Sequence, residues 1–151
     1  VDEAGIEAYR SVMARCGEGT LDRNDRYYWE GCGPDNWAGQ MTEYLDPEDA
    51  PMWLLGYARG EPVGYVAVVR DEELVSTIAH IGVVPEHRGH GYAGDLLAAA
   101  TAVARRAGLA RMLSDVDVFN RPMAETMRRA GHAEHPDWHV WAFRAQWPGL
   151  T

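Results

Sequence analysis

A glycine-rich turn between two apolar segments constrains the fold of this chain more than any other feature. The turn is Pro-Glu-His-Arg-Gly-His-Gly, residues 85–91. The apolar run at 74–84 predicts a strand before it, and the helical spacing of apolar residues at 92–107, closed by Gly108, predicts a helix after it. Glycines there leave backbone N–H groups exposed at the positive end of the helix dipole. The turn is therefore predicted to bind a phosphate or a diphosphate.

The rest of the sequence changes between helical and extended patterns. The patterns predict helices at 2–16, 35–45 and 121–130, the last capped by Asn120, and strands at 52–59, 63–70, 111–118 and 139–144, with an irregularity near Ser76 in the strand at 74–84. Residues 20–34 are predicted to form a loop. A hairpin followed by a strand–helix–strand unit predicts an α/β fold of the mixed α+β kind, with a sheet that is partly antiparallel and partly parallel.

The composition fits one domain with its own core, spanning residues 1–151. A formal net charge of −9 argues against a general nucleic-acid binder and agrees with a cationic small-molecule substrate. The sequence has no apolar run of the ~18 residues that a membrane span needs, so no membrane partner is expected. Two cysteines are too few for a disulfide framework and indicate a reducing compartment, so we expect a cytoplasmic protein.

The turn also matches the G-x-G-x-x-G pattern of dinucleotide-binding folds, through Gly89, Gly91 and Gly94. Asp115 lies near the position, ~20 residues downstream, of the acid that binds ribose in such folds. However, the dinucleotide turn follows its strand directly, whereas residues 85–88 intervene here. The chain after Gly94 is also too short for the remaining strands, so a nicotinamide dinucleotide is the weaker prediction.

Two motifs give a stronger interpretation of the turn. Residues 88–93, Arg-Gly-His-Gly-Tyr-Ala, fit the pattern R-x-x-G-x-A, and residues 83–85 before them supply V-x-P. One predicted strand later, Asn120 opens a short helix that ends in Gly-His at 131–132, where Gly-Phe or Gly-Tyr is usual. The pair resembles the acyl-CoA loop and the second signature of the GCN5-related N-acetyltransferase (GNAT) family, and the resemblance covers residues 50–145.

The resemblance implies a GNAT-like fold, in which a mixed central sheet with splayed parallel strands is flanked by helices. It also implies direct transfer of an acetyl group from acetyl-CoA, as co-substrate and without a metal, to a primary amine of a small molecule. Backbone groups of the strand would hold the pantetheine arm, the Val83 N–H would stabilise charge on the thioester oxygen, and Arg88 would add positive charge at the diphosphate. The implied coenzyme-binding residues are Val83, Val84, Arg88, Gly89, His90, Gly91, Tyr92, Ala93 and Asn120.

Transfer to an amine requires a base, because an alkyl amine with a pKa near ~10.4 arrives protonated. His80, three residues before Val83, is one candidate, and a buried histidine bonded to nearby backbone is the competing interpretation. Asp115 and Asp117 alternate along the predicted strand and share one face, where they either serve the amine or form a solvated strand end. His139 is a further candidate.

Aromatic residues in and after the first inter-helix loop are candidates for the acceptor site. Tyr28, Trp29 and Trp37 offer ring faces that can hold a cation. The acidic residues Asp22, Asp25 and Glu30 near them agree with an amine. Packing of the rings into a helix–loop–helix core is the alternative.

Two departures from the family pattern leave other functions open. The position at which much of the family carries a tyrosine acid holds Met127, which has no proton to give. The strand that precedes the first helix of the family is not recognisable, so it is absent or displaced, or the chain is half of a longer tandem protein. These departures keep open a non-catalytic acyl-CoA-binding domain that supports a partner domain. Acetylation of a protein amine and a homodimer also stay open.

Overall fold

The computed structural model describes residues 5–134, in which three helices precede an antiparallel group of strands and a final run of alternating helices and strands. The helices are α1 (Ile6–Gly17), α2 (Arg23–Cys32), α3 (Pro34–Glu43), α4 (Tyr92–Arg106) and α5 (Arg121–Arg129). The strands are β1 (Trp53–Ala58), β2 (Glu61–Glu72), β3 (Val75–Val83) and β4 (Arg111–Ser114). Short 3-10 turns occupy Pro47–Met52 and Pro85–His87. This order confirms the mixed α/β fold predicted from the sequence.

The sheet has the order β1-β2-β3-β4 and a parallel pair at one side. Strands β1, β2 and β3 pair antiparallel, whereas β3 and β4 pair parallel. The parallel pairing runs only from Val75 opposite Arg111 to Ile78 opposite Ser114. Beyond it, residues 79–83 have no partner strand on that side within residues 5–134. The parallel pairing therefore ends before β3 does, and it leaves this edge of β3 open.

Alternation along the strands divides the core into two layers, because successive side chains point to opposite faces of a sheet. The layer beneath α1 and α3 contains Tyr9, Met13, Trp37, Tyr65 and Ala67. The layer beneath α4 and α5 contains Val66, Val68, Leu96, Leu97 and Met127. Both faces of β3 are thus covered by helices, and its outer edge is where a ligand can approach.

Two register shifts interrupt the pairing of β2 and β3. One lies opposite Ser76 and confirms the predicted irregularity. The other leaves Ala79 unpaired next to His80. Because a bulge re-aims side chains, Ala79 packs with the α1–α3 layer and His80 also contacts that layer, at Trp37.

The prediction of a loop over residues 20–34 is wrong, since this segment contains α2. Asp22 caps the helix, and its Oδ1 accepts from the N–H groups of Asn24 and Asp25 at 2.9 and 3.0 Å. Trp29 then fixes the helix on α1 by donating from Nε1 to the carbonyl of Ala14 at 2.8 Å. A cap and a half-buried, hydrogen-bonded indole together stabilise a helix whose aromatic triplet shows no clear periodicity.

The prediction of a strand over residues 111–118 is wrong at its carboxyl end, because β4 stops at Ser114. Asp117 turns the chain there. Its Oδ1 accepts from the Phe119 N–H at 2.9 Å, and its carbonyl accepts from the Asn120 N–H at 2.7 Å. The predicted strand at 139–144 lies outside the described residues and stays a prediction. None of the helices within residues 5–134 is both long enough and apolar enough to cross a membrane.

Candidate active site

The predicted phosphate-binding turn lies at the end of β3 and opens directly into α4. Gly91, at φ 88° and ψ −4°, is the N-cap residue and has no side chain with which to cap the helix. The N–H groups of Tyr92 and Ala93 begin the first helical turn and have no carbonyl to bind within the helix. A Cβ atom built on Gly89 or Gly91 would meet no atom of residues 5–134 within 4 Å. The helix thus presents uncapped donors to open space, which is the geometry of an anion site.

Ile81 and Val83 present backbone groups to the open strand edge beside this turn. The N–H of Val84 donates to the carbonyl of Val63 at 3.0 Å, and antiparallel pairing alternates between bonded and outward-facing residues. The N–H and C=O groups of Ile81 and Val83 therefore point away from β2, along the stretch of β3 that β4 does not reach. An extended ligand can add to such an edge as a further strand.

Val84 does not share this exposure, contrary to the prediction that it binds the pantetheine arm. Its side chain is fully buried, and its N–H is bonded to Val63. Its carbonyl accepts from the N–H of His87 at 3.0 Å. The 3-10 turn after β3 thus uses both backbone groups. Ile81, in contrast, has backbone groups that face the open edge, and strand alternation counted from Val83 is the sequence signal that identifies it.

Arg88 lies on the turn, but its guanidinium points to the end of α1 and not to a diphosphate site as predicted. Its four acceptors are the carbonyls of Val83 at 3.1 Å, Cys16 at 2.9 Å, Glu18 at 2.7 Å and Gly19 at 3.3 Å. Its own N–H lies 3.3 Å from the carbonyl of Pro85. The physical reason is that helix-terminal carbonyls lack partners and carry partial negative charge, so they attract a cation.

His87, His90 and Tyr92 form a cluster of rings on one side of the turn. The Tyr92 ring lies 5.9 Å from the His87 ring, nearly perpendicular to it, and 6.3 Å from the His90 ring. Together with Ala58, Arg59 and Glu61 they line a cavity of about 330 Å³. The His90 and Tyr92 side chains thus line this cavity.

His80 lies on the α1–α3 face of β3, against Trp37. The two rings are 6.2 Å apart and nearly perpendicular. Burial lowers the pKa of the His80 imidazole, and the negative charge of Asp22 partly offsets this. No atom of residues 5–134 makes a hydrogen bond to the imidazole, so backbone bonding does not account for this histidine. The neutral ring can accept a proton, although burial makes it a weaker base than an exposed histidine.

Asp25 is a titratable group on the same side that sequence reasoning missed as a base. It is half-buried on the inward face of α2, one helical turn before Trp29. Burial, followed by the negative charge of Asp22, raises the pKa of the Asp25 carboxyl to about 6. A carboxylate with this pKa can take up a proton near neutral pH. The helical spacing of Asp22, Asp25, Trp29 and Cys32 is the signal that would have revealed it.

The two carboxylates predicted at the end of β4 differ in their surroundings. The Oδ2 of Asp117 accepts from the backbone N–H and the Nε of Arg23 at 3.1 and 2.9 Å. Partial burial opposes ionisation of Asp117, but the hydrogen bonds from Arg23 and from the Phe119 N–H lower its pKa. Asp115 is exposed and lies beyond Ser114, so the two residues do not share a strand face as predicted. Nor do residues 5–134 gather three His, Cys, Asp or Glu side chains as a metal ion requires.

The three aromatic residues predicted for the acceptor site separate into core and surface. Trp37 is only 1% exposed and packs in the α1–α3 layer. Trp29 is half-buried and hydrogen-bonded to α1. These two side chains pack as the packed-core alternative describes, and their place in the acceptor site stays a prediction. Tyr28 remains exposed, with its ring 5.6 Å from that of Tyr27.

Comparison with known proteins decides the family. The family model described as acetyltransferase (GNAT) family matches residues 19–132. The chain belongs to the GNAT family. The match includes the turn, β3, β4 and α5, so the resemblance drawn from residues 88–93 and Asn120 is confirmed and the dinucleotide interpretation is not. Among curated proteins, none matches the chain.

Solved structures share the GNAT fold over almost the whole chain. The aminoglycoside N-acetyltransferase AAC(6')-Iy in complex with CoA has a TM-score of 0.66 at 19% identity, with 96% of this chain and 92% of that chain covered. A transcriptional regulator from Bacillus halodurans C-125 has a TM-score of 0.68 at 16% identity, with coverages of 95% and 96%. A ribosomal-protein-alanine N-acetyltransferase from Brucella melitensis biovar Abortus 2308 has a TM-score of 0.64 at 16% identity, with 96% of each chain covered. At these identities the likeness establishes the fold alone.

Two residues of the second GNAT motif have structural roles. Asn120 caps α5, since its Oδ1 accepts from the Met123 N–H at 3.3 Å. Met127 is buried in the α4–α5 layer, and its Sδ accepts from the Ser114 Oγ at 3.7 Å. A thioether has no proton to donate. The departure from the tyrosine of the family therefore persists in the folded protein.

Proposed function

We propose that this GNAT-family chain transfers an acetyl group from acetyl-CoA to a primary amine of a cationic small molecule. The observation that carries the proposal is the uncapped first turn of α4 beside the outward-facing backbone of Ile81 and Val83. The turn suits a diphosphate, and the strand edge suits the amide groups of a pantetheine arm. The two parts of coenzyme A therefore fit one continuous surface.

The residues of the turn and the strand edge would divide the binding between them. The N–H groups of residues 89–93 would hold the diphosphate, with partial positive charge from the dipole of α4. Bound acetyl-CoA supplies a thioester whose acyl carbon is open to attack by an amine. The Val83 N–H would donate to the thioester oxygen, where negative charge develops. Removing a comparable donor costs ~3–4 kcal/mol of barrier.

The acceptor amine has to lose a proton before it attacks, and two groups on the α1–α3 side can take that proton. Asp25 combines partial burial with a carboxyl pKa of about 6. His80 is neutral because burial lowers its pKa. We assign proton transfer to these two groups. Asp117 is held as an ion by Arg23, and the exposed Asp115 has no feature that favours it.

Charge supports a cationic acceptor. Asp22 and Asp25 lie on the inward face of α2, the exposed ring of Tyr28 is on the same helix, and the chain carries a net charge of −9. Negative charge and an aromatic face both attract a polyamine. Aminoglycosides, the class named for AAC(6')-Iy, carry several such amines.

The experiment is a thiol-release assay with acetyl-CoA and a panel of amines. The panel contains aminoglycosides, linear polyamines, amino-acid amides and a peptide with a free N-terminal alanine. Release that depends on a small polyamine supports the proposal. Release with the peptide alone would move the acceptor to protein amines.

A second candidate is a non-catalytic acyl-CoA-binding domain that supports a partner domain, and Met127 is the observation that favours it. Without a proton donor in α5, the departing thiolate leaves unaided or through water. Calorimetry separates the candidates, because binding of acetyl-CoA with no turnover of any amine supports the second one.

A further inference from the structure

The side chain of Arg88 connects two parts of the molecule that lie 69 to 72 residues apart in the sequence. Its Nη1 donates to the carbonyl of Gly19, and its Nη2 donates to the carbonyls of Cys16 and Glu18. These carbonyls end α1 or follow it directly. Because such groups lack partners in the helix and carry partial negative charge, the guanidinium anchors the end of α1 on the coenzyme turn.

The fourth hydrogen bond of Arg88 fixes the strand at the same time. Its Nε donates to the carbonyl of Val83 at 3.1 Å, on the residue whose N–H faces the open edge. All three guanidinium nitrogens are therefore engaged with the protein itself. A planar fork is needed for this set of bonds, and a lysine ammonium cannot reproduce it.

An ion pair reinforces the same junction. Arg15, in the last turn of α1, is bonded to Glu86 in the 3-10 turn that follows β3. The two side chains are 44% and 53% exposed, so solvent screens the pair and its contribution is small. Arg88 is the main connection.

The junction holds the connection between α1 and α2, residues 18–22. Gly19 has φ 61°, and a Cβ atom there would lie 3.4 Å from the Nη1 of Arg88, so the connection and the guanidinium fit closely. The connection ends at Asp22, the cap of the helix that carries Asp25. A shift of the connection would therefore move Asp25 relative to β3.

We propose that Arg88 is a positioning residue that fixes the α1–α2 connection on the coenzyme turn, and thereby places Asp25, instead of supplying charge to the diphosphate. The inference rests on the proposed function for the ligands of the turn and of Asp25. The anchoring of the α1–α2 connection by Arg88 is a property of the ligand-free protein. The diphosphate is left to the N–H groups of residues 89–93 and to the dipole of α4.

Amide hydrogen exchange of the ligand-free protein, together with calorimetric binding of CoA and of pantetheine, tests this assignment in the wild type, Arg88→Gln and Arg88→Lys. Pantetheine lacks the whole 3′-phosphoadenosine diphosphate of CoA, so the ratio of the two affinities reports the contribution of that part, which includes the diphosphate. Arg105→Gln is the matched control, because Arg105 is an exposed arginine in the last turn of α4, at the far end from the coenzyme turn.

We expect Arg88→Gln to speed exchange at residues 18–26 by about tenfold or more, because the connection loses its anchor. The affinities for CoA and for pantetheine should fall by the same factor, so that the ratio of the two Kd values stays within about twofold of the wild-type ratio. Arg88→Lys should behave like Arg88→Gln, since charge without the fork does not restore the bonds. Arg105→Gln should match the wild type in every measurement.

The opposite pattern would overturn the proposal. Arg88 binds the diphosphate if Arg88→Gln loses about tenfold or more in CoA affinity, keeps its pantetheine affinity and exchange rates, and is rescued by Arg88→Lys. If Arg88→Gln does not fold, Arg88→Lys carries the same comparison. If the wild type binds neither ligand, the proposed function fails, and exchange at residues 18–26 still decides whether Arg88 is an anchor.

Discussion

The proposed coenzyme side and the proposed acceptor side of β3 are built from different groups. The turn at 85–91 and the edge of β3 offer backbone groups, among them the N–H of Val83, whereas α2 and its N-cap offer the carboxyl groups of Asp25 and Asp22. A backbone site depends on local φ and ψ angles, and a side-chain site depends on how helices pack. A substitution on the coenzyme side therefore impairs binding only if it distorts the backbone. On the acceptor side, the loss of one functional group is enough to impair the reaction.

The largest effect is expected for Gly91→Val, which changes the backbone conformation of the turn. Gly91 has φ 88°, a conformation that a β-branched residue strongly disfavours, and the added side chain would occupy the open space over the donors. Calorimetry should show CoA binding weakened by about 100-fold or more, because both the shape and the access of the anion site are lost.

Gly108→Val is the control for Gly91→Val. Gly108 also has a positive φ, 80°, and open surroundings, but it follows the other end of α4, ~22 Å away. The Gly108→Val variant should lose ~1–2 kcal/mol of folding free energy, as Gly91→Val should, while its affinity for CoA stays unchanged. An equal loss of CoA affinity in both variants would show that helix strain alone is responsible.

Asp25→Asn tests the side-chain site by removing one functional group. We expect turnover of the amine to fall by ~100-fold, because an amide cannot take the proton, while the Kd for CoA stays within about twofold. Asp35→Asn, an exposed acid in the first turn of α3, should leave both unchanged. Turnover of Asp25→Asn close to the wild-type rate would rule out Asp25 as the base and leave His80.

Met127→Tyr adds a functional group where the family has one. A phenol there should raise kcat by about tenfold if departure of the thiolate limits the rate, at a cost of ~1–3 kcal/mol from overpacking the buried slot. Met127→Leu keeps the volume without the hydroxyl and should leave kcat unchanged. Equal kcat values for the two variants in steady-state assays would show that an acid at this position has no role.

The smallest effect concerns stability and pH. The pKa of Asp25 is about 6 in the folded protein against an ordinary value of 3.8, so the folded state binds more protons than the unfolded state between these pH values. The free energy of unfolding should then fall as pH rises through this window. Asp25→Asn should remove that fall and be more stable at pH 7 by on the order of 1 kcal/mol, allowing for solvent screening. Urea titrations at pH 4.5 and pH 7 measure it, and a difference from the wild type that does not change with pH would contradict it.

The sequence predicts the secondary structure around the turn well because its determinants are local. Glycines at 89 and 91, the apolar strand before them and the alanine-rich helix after them lie within one short segment. Asn120 likewise caps a helix only a few residues away. Propensity and periodicity act over such distances, so the turn, α4 and α5 follow from the sequence.

The acceptor side depends on contacts that local patterns do not contain. The carbonyls at the end of α1 that accept hydrogen bonds from Arg88 lie 69 to 72 residues away in the sequence. The sequence alone therefore suggests that the guanidinium is free to bind a ligand, whereas in the structure it is bonded to the protein. Asp117 is similarly bonded to Arg23, 94 residues distant. In α2, three consecutive aromatic residues obscure the helical spacing of Asp25, Trp29 and Cys32, and the packing of Trp29 on α1 confirms that this face is inward.

We propose that the backbone amides of the turn bind the diphosphate of coenzyme A while the edge of β3 binds its pantetheine arm. Titration of ¹⁵N-labelled protein, followed by amide chemical shifts, tests it most directly. We expect the N–H signals of Gly89, Gly91 and Ala93 to shift with CoA and not with pantetheine, while Ile81 and Val83 shift with both. Saturation with CoA that leaves the signals of the turn unmoved would contradict the claim.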